Sequence, residues 1–441
     1  MKNKLRYITT TLLLNAFTAQ AQTGPIDIAS YHASIEPDIT HHSIKASVTI
    51  FYNVQKAALQ QIILDAGALE IDSVVNDTTR LHFEKKNKQL IIQLAKAMAA
   101  GEKSSLTISY HGTPKAGLVF PAGGSQVHTA FSTSQWMPCV DAPSDKASFY
   151  LDLILPSSLK VVANGTFTGS KAATDGKLVT SWQQTNPQSS YLFGFAAGLY
   201  NETTQTYNGI TLRNLATPKF SVTRLKQVFA TTAGMLQFYE MVSGVPYPDK
   251  TYTQVLAPGN TQQEMSSFTV MNEAYGEEVL EDKEAVWLSA HEMAHQWWGN
   301  GVTNDSWSHF WLNEGLTNFM VAAYFERYFG KARYKEQIQE YRTKYQAVKA
   351  KGADKPLVFP NWNNPSTDDR ILVYNKGAYV IHLLRETLGE LMFWKAIKCY
   401  TREYWGKTVT TQDFQHSLET STGRDLVAFF QKWIYYNPLH Q

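Results

Sequence analysis

His291, Glu292 and His295 stand in the order H-E-x-x-H. Side chains four apart on a helix share a face, so both imidazoles can reach one ion. Neutral imidazole nitrogen suits zinc. Glu292 projects near the same face and can take a proton from water at that ion, as zinc-dependent hydrolysis requires. A catalytic zinc site uses three protein ligands and keeps one position open. Glu314 follows His295 with eighteen residues between them; a second helix, antiparallel to the first, would bring its carboxylate to the same ion. The plain alternative is a surface helix with unrelated His and Glu. Against it, Val286, Leu288, Ala290, Ala294 and Trp297 make the neighbourhood apolar, where two histidines and a glutamate are costly without a partner such as a metal.

These side chains need helices to hold them, and helical patterns dominate from residue 223 onward. One helix is expected over about 281–298, ending at Gly299, and another over 312–329, ending at a C′ glycine, Gly330. Two more, over 374–388 and 392–405, end at Gly389 and Gly406, and Thr410 with Asp413 reads as a capping box. Residues 209–279 read as a helix near 225–242 followed by short strands. The charged run 334–351 reads as a solvated amphipathic helix without a functional role. Trp297, Trp298, Trp307 and Trp311 read mostly as core, with one lining a pocket.

Before residue 200 the pattern is β. Ile44, Ala46, Val48, Ile50 and Tyr52 alternate with Lys45, Ser47, Thr49 and Phe51, a period-2 strand with one buried face. Similar stretches at 106–110, 148–155 and 177–184 are separated by turn formers, including Asn76-Asp77 and Asn164-Gly165. The expectation is an all-β sandwich over 22–204, a boundary where the chain turns polar at 201–207, and an α+β catalytic domain over 205–441.

Composition bounds the rest. The chain has 441 residues, 40 Lys+Arg against 38 Asp+Glu, and 44% hydrophobic residues, which suits a multidomain globular protein and gives no basic field for nucleic acid. Two cysteines, Cys139 and Cys399, exclude a disulfide scaffold and leave their pairing open. Lys2, Lys4 and Arg6, a short apolar run and Ala19-Gln20-Ala21 form a secretory signal pattern over residues 1–21. Export to the periplasm or the extracellular space is expected, with no membrane-spanning segment after cleavage. Losing those three cations leaves the formal charge slightly negative, so no polyanionic partner is implied.

Residues 291–315 read HEMAHQWWGNGVTNDSWSHFWLNEG. This string, with the eighteen-residue gap, resembles the gluzincin metallopeptidases of the M1 aminopeptidase family. Pro138-Cys139-Val140-Asp141-Ala142-Pro143 with Lys146-Ala147, and Val245-Pro246-Tyr247-Pro248, resemble further family segments. The resemblance implies a β-sandwich followed by a thermolysin-like catalytic domain, a small mixed sheet plus a helical bundle. It implies one Zn²⁺ per chain on His291, His295 and Glu314, Glu292 as general base, and a peptide or protein substrate. Val373-Tyr374-Asn375-Lys376-Gly377-Ala378 is similar to the segment that carries the family's catalytic tyrosine, so Tyr374 would hydrogen-bond the oxyanion.

The family marks its amine site with G-x-M-E-N, and here the stretch is Thr261-Gln262-Gln263-Glu264-Met265. The glutamate survives as Glu264, and Glu273 follows nine residues later as in the family pattern; the glycine, methionine and asparagine do not survive. One buried anion facing an ammonium is the physical need, which Glu264 can meet. Gln135 is the candidate second amine contact, against the alternative of a turn residue. The expected function is a zinc metallopeptidase releasing N-terminal residues, in a short form without the large C-terminal helical domain of many relatives and with a more open cleft. The alternatives are an endopeptidase with a degenerate amine site and a non-catalytic peptide-binding module; nothing in the sequence favours an epoxide hydrolase.

Overall fold

The computed structural model describes residues 24–436, apart from residues 124, 360, 361 and 363. The expected signal segment, residues 1–21, lies outside the described residues.

Strand alternation builds the first domain. Ile26–Asp38 and Ser43–Val54 pair antiparallel, with Ile28, Tyr31, Ile35, Val48 and Ile50 turned to one buried face. These strands lie within an eight-stranded sheet. Ile26–Asp38 also runs parallel to Lys146–Pro156, which pairs in turn with Lys177–Ser189. Ile62 and Leu64 of strand Leu59–Asp65, and Leu90 and Ile92 of Gln89–Met98, enter the same core from a separate three-stranded sheet. Two sheets thus share one apolar layer, the condition for a sandwich, and each strand expected from the sequence falls within an observed one.

The second domain is organised by a four-stranded sheet in the order Asn201–Tyr207, Ile210–Ala216, Thr251–Ala257, Phe268–Asn272, its last three strands parallel. Both faces of this sheet are buried, as parallel pairing favours. Tyr252, Leu256 and Met271 join the helical core, whereas Val255, Ala257 and Val270 pack into the core of the β domain. The period-2 pleat therefore joins the domains through one sheet. The polar stretch expected to mark the boundary near 204 is itself a strand of this sheet, so the second domain begins at Asn201. It reads as polar because it is the edge strand, with most of its side chains partly exposed.

Eleven α-helices among the described residues follow the pattern of apolar runs: α1 (Val222–Val228), α2 (Thr232–Ser243), α3 (Glu273–Glu281), α4 (Trp287–Ala294), α5 (Trp311–Phe329), α6 (Lys331–Ala350), α7 (Thr367–Ile371), α8 (Gly377–Leu388), α9 (Glu390–Glu403), α10 (Thr411–Thr422) and α11 (Val427–Phe430). The helix expected over 225–242 is two helices, and the one expected over 281–298 shortens to α4. Thr410 and Asp413 form the anticipated capping box at α10. No helix among the described residues is long and apolar enough to cross a membrane. Cys139 is buried in the β domain and Cys399 lies on α9; both are free thiols.

Candidate metal centre and active site

Helix α4 presents His291 and Glu292, and His295 caps its C-terminal end. The His295 Nδ1–H donates to the Trp298 carbonyl at 3.0 Å. Since a carbonyl only accepts, this bond fixes the tautomer and leaves Nε2 free to bind a metal. Gly299 lies against this ring: at φ 134°, an added Cβ would stand 2.8 Å from His295 Nδ1. Helix α5 packs on α4 and brings Glu314 in its first turn. Asn313, beside it, accepts from the Asn304 N–H and donates to the Tyr191 hydroxyl, pinning the start of α5 to the β domain.

The three donors converge. His291 Nε2 and His295 Nε2 are 3.0 Å apart, and Glu314 Oε2 lies 3.3 and 3.4 Å from them. A tetrahedral ion with bonds of about 2.0–2.1 Å would hold its donors about 3.3 Å apart. Glu314 Oε2 has no hydrogen-bond partner although it is buried, and a cation would satisfy it. Two imidazoles, one carboxylate and an open cleft side form the donor set of a catalytic zinc site, and the fit is good on distance, chemistry and burial.

Electrostatics point the same way. Glu264, Glu292 and Glu314 are each no more than 5% exposed. Burial, then the charge of Glu264, pushes the Glu292 carboxyl well above the ordinary range. Burial also raises Glu264, although the His295 charge opposes it. For Glu314, the effect of burial is overcome by the charge of His295 and the closeness of both imidazoles, which hold it at about 2. His295 is likewise pulled down by burial but lifted by Glu314 and Glu264 to about 10. Three buried carboxyl groups on one cleft call for positive charge; a divalent ion answers that demand and leaves both imidazoles neutral.

Tyr374 sits on a π-helical turn, Leu372–Lys376, between α7 and α8. Its ring lies nearly parallel to that of His291, centroids 6.1 Å apart. Burial, then the charges of Glu314 and Glu264, push its phenol well above the usual range, so it stays a proton donor. A cleft of about 1110 Å³ joins His291, Glu292, His295, Glu314, Tyr374 and Glu264, larger than the ~300–1,000 Å³ of most small-ligand pockets.

Gln135 is not among the residues lining that cleft. Its side chain packs against Gly67 of the β domain, where an added Cβ would stand 2.8 Å from the carboxamide. The short turn Thr133–Gln135 carries it there, so the second amine contact expected at Gln135 does not form. Asp141, Tyr191 and Gln262 line the cleft instead. Asp141 lay inside the P-C-x-D-x-P motif and could have been singled out; Tyr191 carried no local signal. Helix α6 also differs from expectation: Arg333, Gln337, Glu340, Tyr341 and Lys344 line the cleft. Of the four tryptophans, Trp297, Trp298 and Trp311 are core and Trp307 lines the cleft.

Residues 28–192 match the family model described as the peptidase M1 N-terminal domain, and residues 228–433 match the peptidase family M1 domain. The chain belongs to peptidase family M1. Among its curated relatives in that family, the probable aminopeptidase 2 of Sulfurisphaera tokodaii is 24% identical over 430 residues, covering 93% of this chain and 53% of the relative. Aminopeptidase M1-D of Oryza sativa is 28% identical over 67% of this chain and 35% of its own length. Leukotriene A-4 hydrolase of Xenopus laevis is 26% identical over 90% and 69%. The chain thus spans between about a third and a half of the length of these two aminopeptidases. In structure it is similar to an M1 zinc metallopeptidase from Deinococcus radiodurans, with TM-score 0.79, 21% identity and 95% of both chains covered. A mutant from the same organism bound to a Tyr-Ser-Ala substrate gives TM-score 0.80 and 22% identity over 95% of this chain and 96% of that one. The M1 architecture of a β-rich domain followed by a sheet-and-helix catalytic domain is therefore the fold of this chain.

Proposed function

We propose that this M1 family member is a zinc aminopeptidase that releases N-terminal residues from peptides. The observation that carries the reading is the buried carboxylate of Glu264 in one cleft with His291, His295, Glu314 and the base Glu292. An α-ammonium held by Glu264 fixes how much of the substrate lies before the reacting carbonyl. Zinc on His291, His295 and Glu314 would supply Lewis acidity and ease the deprotonation of water. Glu292, beside the three donors but outside their set, takes a proton from the attacking water and returns it to the leaving amine. The Tyr374 O–H donates to the carbonyl oxygen as negative charge develops there. The departures from G-x-M-E-N leave this logic intact, because the chemistry needs the anion, which Glu264 retains.

Kinetics on aminoacyl fluorogenic substrates beside N-acetylated peptides test this. Glu264→Ala should lower kcat/KM on free-amine substrates about 10- to 100-fold, the worth of one charge-assisted contact, and barely touch blocked ones. Cleavage of blocked peptides alone would make the protein an endopeptidase; zinc binding without any cleavage would make it a binding module. The n-region and the Ala19-Gln20-Ala21 site support export to the periplasm or beyond. An N-terminus at Gln22 on the mature protein is the expected result, and an intact Met1 in the exported fraction would count against cleavage.

A further inference from the structure

Residues 366–376 carry Tyr374, and a loop packed behind them braces both ends. At the start, Lys355 reaches Asp369 at 2.6 Å beside the α7 capping box of Ser366 and Asp369. At the end, Lys376 is buried and meets Asp354 at 2.7 Å, while also donating to the Lys355 carbonyl at 2.6 Å. Tyr345 of α6 donates to the other Asp354 oxygen at 3.0 Å, and its ring lies under the Lys376 ammonium. Lys376 closes the π-helical turn two residues after Tyr374. Such turns are rare and occur mostly as single bulges within helices, frequently at functional sites. Lys376 does not line the catalytic cleft. A buried ion pair contributes little to net stability, because desolvation offsets the attraction, but it has one bonded geometry.

We infer that the Lys376–Asp354 pair is a positioning device that sets the π-helical turn so that the Tyr374 phenol reaches the reacting carbonyl. The inference rests on the oxyanion assignment of Tyr374. Lys376→Met should lower kcat on an aminoacyl substrate about 10- to 100-fold, as small misplacement of a catalytic group does. KM and zinc content should stay within about twofold, and the same substitution in a Tyr374→Phe background should change kcat less than about twofold, since the two then act as one unit. Equal losses in both backgrounds, or native kcat in Lys376→Met, would overturn it. If Lys376→Met fails to fold, the paired Lys376→Met/Asp354→Leu variant leaves no orphan charge and must show the same loss; native kcat in that folded variant also overturns the inference. Native kcat in Tyr374→Phe alone would remove the oxyanion assignment and the brace together. Loss there with native Lys376→Met activity would remove only the brace.

Discussion

Gly315 follows the metal ligand Glu314, and the structure gives a worked reason for it. An added Cβ at Gly315 would stand 2.8 Å from Gly377 Cα and 2.9 Å from the Gly377 carbonyl carbon. Carbon atoms in contact rest about 3.5–4.0 Å apart, so α5 and the start of α8 would have to separate by about 0.7–1.2 Å. Both close atoms are backbone, so no rotamer change relieves the overlap. In an ordinary helix interior, Gly→Ala adds about 1 kcal/mol of stability. Overpacking of a dense core costs about 1–3 kcal/mol, so Gly315→Ala should come out destabilised by about 0–2 kcal/mol. Activity should suffer more. Glu314 and Tyr374 ride on the two segments being forced apart, and a displacement near 1 Å at a reacting group costs about 100-fold in rate. Denaturant titration gives the stability change, and steady-state kinetics on an aminoacyl substrate gives kcat. A Gly315→Ala protein more stable by about 1 kcal/mol with native kcat would show that the contact between the two glycines is slack, and would refute the reasoning.

Three further outcomes follow from the site and its supports. Glu292→Gln should retain zinc, because Glu292 is outside the ligand set, and lose about 100- to 10,000-fold in kcat, the contribution of a general base; substantial residual turnover would remove that role. Tyr374→Phe should lower kcat about 100- to 1,000-fold with little change in KM, as loss of one oxyanion donor does; a change in KM alone would place the tyrosine in binding. Lys146 lies half-buried at the domain junction and donates to the Asn300 and Gly301 carbonyls, and desolvation there pulls it from 10.5 down to about 7. Between those values the unfolded chain holds more protons than the folded one, so native stability rises with pH across the window. Measured against Lys146→Met by denaturation at several pH values, the native protein should gain ground from about pH 7 to pH 10; a flat difference would mean that the lysine keeps its ordinary affinity for protons.

The local pattern carried much of this protein. The i, i+4 spacing of His291 and His295 places two donors on one helical face whatever surrounds them, and alternation in Ser43–Val54 assigns its faces without reference to a partner. The capping box at Thr410 and Asp413 is likewise a matter of two residues three positions apart. Features that depend on what packs where were not legible in this way. Asn201–Tyr207 reads as a domain boundary because an edge strand is polar on its open side, and only its pairing with Ile210–Ala216 makes it part of the sheet. Helix α6 reads as a solvated amphipathic helix without a role because nothing in its own sequence says that one flank faces a cleft. Gln135 stood at a plausible position along the chain, yet a short turn directs it to Gly67, while Tyr191 comes to the cleft from a stretch with no motif.

The sequence by itself determined which atoms can bind a metal, take a proton and hold an amine, because those abilities reside in side-chain type and in spacing within one helix. Tertiary structure alone decided that Glu314 stands 3.3–3.4 Å from both imidazoles, that Glu264 shares their cleft, and that Gly315 meets Gly377 backbone to backbone. Those distances are set by close packing between segments far apart in the chain, and no local preference encodes them.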